Sequence, residues 1–132
     1  MPELEGINHI ALTVTDLAVS RAWYEKLFDA AVMWEEESPP GHMMLVLFVP
    51  PLAIGLHTHD ATQAGDRFAE SRIGLDHFAF EVADRAALDA WAKHLDALGI
   101  DHSPIKDAPY GTVLTFRDPD NIQLEFYVLP GR

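Results

Sequence analysis

The side chains able to do chemistry in this sequence come in matched sets. His9 stands in Asn8-His9-Ile10-Ala11 and His77 in Asp76-His77-Phe78-Ala79, a numbering offset of 77 − 9 = 68. At that offset His57 falls on Glu125. With no cysteine in the chain, thiolate nucleophiles, thiolate metal sites and disulfides are all excluded, leaving imidazole, carboxylate and hydroxyl groups. Imidazole and carboxylate donors suit Fe(II), Mn, Co, Ni or Zn, and His9, His77 and Glu125 alone would make a two-histidine, one-carboxylate set. A lone strand histidine is usually structural. Two at equivalent positions, with a carboxylate on the matching face, favour a metal site at His9, His57, His77 and Glu125. His59 shares a strand face with His57 and is the alternative ligand there. Glu81 and Tyr127 lie on the same kind of face and are candidates, with Glu125, to orient a ligand or move a proton. His42, His94 and His102 show no partner in the sequence and read as surface residues.

The elements that must position these groups form a repeat. The offset of 68 aligns Gly6-Ile7-Asn8-His9-Ile10-Ala11-Leu12-Thr13-Val14-Thr15-Asp16 with Gly74-Leu75-Asp76-His77-Phe78-Ala79-Phe80-Glu81-Val82-Ala83-Asp84. It continues ungapped through Trp23/Trp91 and Leu27/Leu95, and then pairs Phe48/Phe116, Pro51/Pro119, Ile54/Ile122 and Leu56/Leu124. Alternating apolar positions predict strands over 7–14 and 75–82. Asp16 and Asp84 are N-cap residues for helices over 17–28 and 85–98, with Gly99 as a C-terminal signal. Trp23 and Trp91 read as helix-to-sheet core, and Met43-Met44 as a core edge or pocket wall. Further strands are expected over 43–49, 52–59, 112–117 and 122–129, with weaker ones near 32–36 and 100–104. The polar stretch 60–71 connects the halves as a solvated loop or short helical turn. The fold class is therefore α+β, two tandem βαβββ modules within one domain of residues 1–132. Module one spans 6–59, the connector 60–73 and module two 74–129.

Side chains alternate across a strand. Ile10, Leu12 and Val14, with Phe78, Phe80 and Val82, make an apolar face suited to lie under the helices. His9, Ala11, Thr13, His77, Ala79 and Glu81 fall on the other face, as do Gly55, His57, His59, Gln123, Glu125 and Tyr127. Polar groups buried without partners cost about 1–3 kcal/mol each, so this face should meet solvent or a polar cavity that binds something.

Composition narrows the partners. At 48% apolar residues the chain can bury a core, which excludes general disorder. Nine Lys and Arg against 21 Asp and Glu give a net charge of −12, unfavourable for nucleic acid or an anionic membrane. No apolar run approaches the ~20 residues that span a bilayer, and the first ten residues lack a signal-peptide pattern. The expectation is a cytoplasmic protein acting on a small molecule.

The chain resembles the vicinal oxygen chelate superfamily, which includes glyoxalase I, bleomycin-resistance proteins, fosfomycin-resistance enzymes and extradiol dioxygenases. The resemblance is carried by the two first-strand segments above and by Arg117-Asp118-Pro119-Asp120-Asn121-Ile122-Gln123-Leu124-Glu125. It implies a cup-shaped, partly open mixed sheet, often completed in a homodimer and sometimes by domain swapping, with metal ligands at His9, His57, His77 and Glu125. Glyoxalase I usually carries Glu or Gln where this chain has His57. The implied chemistry is that of a divalent ion chelating two adjacent substrate oxygens and acting as a Lewis acid. The resemblance thus points to a metal-dependent enzyme, with a glyoxalase-like lyase or isomerase reaction expected first. Proton transfer would then fall to Glu125 or Glu81. The alternatives are an extradiol-type dioxygenase using Tyr127 or His59, and a non-catalytic antibiotic binder of the bleomycin-resistance type, which the acidic surface would suit.

Overall fold

The computed structural model describes residues 1–37 and 39–132. Two compact units divide it, Met1–Asp66 and Arg67–Arg132. The first contains β1 (His9–Thr13), α1 (Leu17–Phe28), β2 (Val32–Glu37), β3 (Met43–Val49) and β4 (Leu52–Thr58). The second contains β5 (Phe78–Glu81), α2 (Arg85–Ala97), β6 (Lys106–Ala108), β7 (Gly111–Arg117) and β8 (Gln123–Val128). Each unit is thus a βαβββ module, and the fold is α+β and glyoxalase-like. The sheet orders are β1-β4-β3-β2 and β5-β8-β7-β6, with the first and last strands of each module pairing in parallel.

Both helices start where an aspartate can satisfy an otherwise orphaned backbone N–H. Asp16 accepts from Val19 N at 3.1 Å, and Asp84 from Ala87 N at 2.9 Å. The first helix ends on Asp29 in the left-handed region, and Gly99 adopts the same region just beyond the second. From α1, Tyr24 and Leu27 are buried with Leu45, Leu47, Ile54 and Leu56. From α2, Leu88 and Leu95 are buried with Leu114, Phe116, Leu124 and Phe126. Each such side chain contributes roughly 1.5–3 kcal/mol by leaving water. Trp91 stacks on Phe126 with ring centroids 4.2 Å apart, as a helix-to-sheet contact should. Trp23 is half-buried and meets Tyr24 edge-on; the fully buried aromatic of α1 is Tyr24, so the core assignment moves by one residue.

The expected strand near 100–104 is displaced. His102 forms an isolated bridge to Phe116 there, and β6 forms instead at Lys106–Ala108, paired with β7 across a turn at Pro109-Tyr110. Pro104 lacks the N–H that a ladder needs, which ends pairing on that stretch. His102 is also no bare surface residue: it is half-buried, with Nδ1 on Ser103 O at 2.8 Å and Nε2 on Asp96 at 2.9 Å. His94 is half-buried against Trp91. The connector forms turns without a helix or strand. Among the described residues no helix is long and apolar enough to cross a membrane.

The ladders also correct the ungapped repeat. Ala11 pairs with Gly55, whereas its equivalent, Ala79, pairs with Glu125. Judged against the first strands, the last strands therefore correspond at 125 − 55 = 70 in the numbering rather than 68, and Ile54 matches Leu124. The connections differ in length: Pro50-Pro51 joins β3 to β4, while residues 118–122 join β7 to β8. Because that slip is an even number, the side chains of β4 and β8 keep their faces, whereas β3 and β7 correspond at 116 − 47 = 69, so Phe48 is exposed where Phe116 is buried.

Candidate metal centre and its relatives

The faces sort as the alternation requires. Along β8, Leu124, Phe126 and Val128 are buried, and Gln123, Glu125 and Tyr127 point to the other, half-open side. The turn that delivers them is built by Asp118, whose Oδ1 accepts from Asp120 N at 2.9 Å and Ile122 N at 2.8 Å. Asn121 takes a left-handed backbone there and donates to Phe68 O at 3.0 Å. Two backbone bonds to one buried carboxylate make Asp118→Ala a costly change. The expected loss is about 2–4 kcal/mol, read as a fall in the urea midpoint with unchanged slope.

In the second unit His77 and Glu125 come together, with Nε2 and Oε2 3.7 Å apart. Each is anchored by its other end. His77 Nδ1 lies 2.7 Å from Asp76 Oδ1, which fixes the proton on Nδ1 and leaves the Nε2 lone pair toward Glu125. Glu125 Oε1 accepts from Gln123 Nε2 at 3.0 Å and Thr115 Oγ1 at 3.4 Å. Gln123 Oε1 in turn accepts from Arg117 at 3.0 Å, and Arg117 is forked onto Glu70 at 3.0 and 3.1 Å. The separation between His77 and Glu125 is too wide for a hydrogen bond. It is shorter than the ~4.2 Å that two metal bonds of about 2.1 Å span end to end, so one first-row ion fits between these donors.

The Arg117 guanidinium, chiefly through its hydrogen bonds, holds the Glu70 carboxyl down at about 2, below its usual 4.5. A carboxyl lower in the folded state stabilises fully above its unfolded value and loses that contribution as pH falls through the folded one. Glu70→Gln should therefore flatten the acid limb of the melting temperature between about pH 4.5 and 2, and leave the slope above pH 5 unchanged.

In the first unit His9 is exposed at the start of β1, with Nδ1 2.7 Å from Asn8 Oδ1, the same local arrangement as Asp76 and His77. The position equivalent to Glu125 is Gly55, which offers no ligand. His57, two residues on, leans back over it: a Cβ added at Gly55 would lie 3.1 Å from His57 Nε2. Its Nδ1 is 2.8 Å from His42 Nε2, and His42 also stacks on His59 with centroids 4.3 Å apart. His42, expected at the surface without a partner, is thus half-buried in a three-histidine cluster. The hairpin register brings it there: Met43 pairs with Thr58, so the next position places His42 opposite His59. Burial first, then the neighbouring His42, His59 and His9 imidazoles, pushes the His57 pKa down. Gly55→Ala should force the imidazole of His57 away, seen as a shift of its ring signals in a histidine nitrogen spectrum with far-UV circular dichroism retained.

The two other proton-carrier candidates are engaged elsewhere. Tyr127 donates its hydroxyl to the Tyr110 carbonyl, and exposed Glu81 pairs with Arg132 at 2.8 Å. A cavity of about 510 Å³ in the first unit is lined by Asp16, Arg21, Glu35, Met43, Leu45 and Thr58 among others. It lies on the helix-covered side of that sheet, away from the face of His9 and His57.

Residues 6–126 match the family described as the glyoxalase/bleomycin resistance protein/dioxygenase superfamily. The chain belongs to that superfamily. The fold agrees with the crystal structure of a glyoxylase/bleomycin resistance protein/dioxygenase domain from Frankia sp. EAN1pec, at 34% identity and a TM-score of 0.86, covering 98% of this chain and 96% of that one. The uncharacterized protein YaeR of Escherichia coli is 28% identical over 94% of this chain and 96% of its own length. The metallothiol transferase FosB of Bacillus licheniformis is 28% identical over 92% of this chain and 74% of its own. This superfamily member therefore has a metalloenzyme among its relatives.

Proposed function

We propose that the protein is a divalent-metal-dependent enzyme acting on a small substrate chelated through adjacent oxygens, with His9, His77 and Glu125 as metal ligands. The observation that carries this reading is the His77–Glu125 pair: two donors 3.7 Å apart, each held at its far atom by Asp76 or by Gln123 and Thr115. The ion, when bound, supplies a Lewis acid with positions open to substrate oxygens. His9, oriented by Asn8 as His77 is by Asp76, is the third ligand. Gly55 at the place matching Glu125 supports three protein ligands, and we leave His57 out of the set.

The finer reaction follows from which groups can carry a proton. Glu125 is tethered through Oε1, Tyr127 donates to Tyr110, and Glu81 is paired with Arg132. This favours activation of an oxygen-bearing electrophile for attack by a thiol, a reading supported by a relative, FosB, that is named a metallothiol transferase. In such a transfer a carbon–sulfur bond forms, a carbon–oxygen bond breaks, and the thiol proton ends on the released oxygen. Glyoxalase-like isomerisation is the second reading; it is favoured by Glu125 Oε2, which has no hydrogen-bond donor against it among the described residues. A homodimer is the proposed assembly, supported by Met33 and Trp34 on β2, which are 63% and 59% exposed.

The test is a panel on the Mn(II)- or Zn(II)-loaded protein. Thiol loss in the presence of fosfomycin supports transfer, hemithioacetal turnover under nitrogen supports isomerisation, and oxygen uptake with a catechol supports dioxygenation. Metal binding without any of the three, together with tight binding of bleomycin, would favour the binder.

A further inference from the structure

We infer that His42, His57 and His59 form a second cation site, taking a late first-row divalent ion such as Zn(II) through three imidazoles. One ring nitrogen from each histidine lies within 4.8 Å of one from each of the others. A tetrahedral ion at about 2.1 Å needs its nitrogens about 3.4 Å apart, a separation the side chains reach by rotating about their own bonds without movement of the strands. His42 Nε2 and His57 Nδ1, at 2.8 Å, already stand closer than that. In the metal-free state one of them donates its N–H to the other. On binding, the donating ring moves that proton to its second nitrogen, and both lone pairs then face the ion.

The backbone fixes this cluster without help from the second unit. The β3–β4 register puts His42 across from His59, with His57 on the diagonal of the same face. The loop before β3 is held by Gly41 N donating to Glu37 at 3.0 Å and His42 N donating to Pro39 O at 2.9 Å. Gly41 has a φ of 85°, a left-handed conformation that favours glycine, and lies against the Asp60 carboxylate. The rings are stacked, 12–25° between planes, which gathers the three imidazoles in the metal-free state, and the exposed His59 turns out of the stack to bring its in-plane lone pair to an ion held by the other two. Half-burial of His42 and His57, with His59 exposed, leaves an open side for the ion to enter and for water as fourth ligand.

The test separates this set from the ligands proposed above. A His77→Ala/Glu125→Gln double variant, stripped with chelator and titrated with Co(II), should still bind about one ion per chain and show tetrahedral visible absorption. Adding His42→Ala or His59→Ala should abolish that uptake. In the unaltered protein, Zn(II) should shift the ring nitrogens of His42, His57 and His59 in a histidine spectrum while those of His94 and His102 stay in place, which covers variants that fail to fold. No uptake by the double variant, or no selective shift of the three rings, overturns the inference. Should the unaltered protein bind one ion that His42→Ala removes and His77→Ala/Glu125→Gln does not, the first ligand set fails and this one stands.

Discussion

Glu125→Ala, combined with His42→Ala to silence the imidazole cluster, should leave the protein folded and lower its affinity for Mn(II) or Zn(II) by at least ~100-fold. Second-sphere changes alone cost roughly 10- to 100-fold in metal affinity, so loss of a charged ligand should exceed that range. Glu125 brings the carboxylate that faces His77 Nε2, and its side chain is only 13% exposed, so bulk water would replace it poorly. Folding should survive because Glu125 packs on the open face of β8, away from Phe116, Leu124 and Phe126. Elemental analysis after dialysis, with circular dichroism alongside, reads both outcomes. Unchanged metal content in that variant would remove Glu125 from the ligand set. Asp76→Ala should act in the same direction but more weakly, about 10-fold, since it frees the His77 ring to rotate and loses only the orienting bond.

Phe126→Ala should cost about 3–5 kcal/mol, a large share of the roughly 5–15 kcal/mol available to a domain of this size. Phe126 is 1% exposed and is the hub of an aromatic cluster, with centroids 4.2 Å from Trp91, 5.0 Å from Phe116 and 5.9 Å from Phe80. Truncation leaves a void bounded by α2, β5 and β7 that rigid rings cannot fill. Urea unfolding followed by Trp fluorescence measures the loss. A cost well below that range would show that the cluster collapses around the gap. Because Phe126 separates Glu125 from Tyr127 along the strand, the variant should also bind metal less well.

Much of this fold is legible in the sequence because local signals agree with one another. α1 and β3 fall at their expected limits, where Asp16 caps the helix and an apolar run meets Pro50. The meeting of His77 with Glu125 on the open side of the second sheet is likewise readable, since period-two alternation fixes a face whatever the loops do. Two features need coordinates. The correspondence of His57 with Glu125 rests on ungapped counting, and a loop-length difference has no signature when the intervening residues do not match. His42 escapes a sequence reading because its partner His59 lies across a hairpin, and a contact of that kind depends on register, which a turn sets and composition does not reveal. The shift of β6 to Lys106–Ala108 is of the same type: short edge strands are chosen by their neighbours more than by their own residues.

The two-residue phase difference between the modules constrains how the last strands can shift. A slip of one residue in the β5–β8 register would turn Glu125 and Gln123 inward and drive Leu124 and Phe126 into water, whereas a slip of two merely moves one rung to the next. Register against the first strand is thus quantised in twos, although the links before β4 and β8, two and five residues long, differ by an odd number, and each tolerated step hands the rung opposite Ala11 or Ala79 to a different side chain. One half now holds a glycine there and the other a glutamate, so a donor can be won or lost without altering a single amino acid on the strand itself.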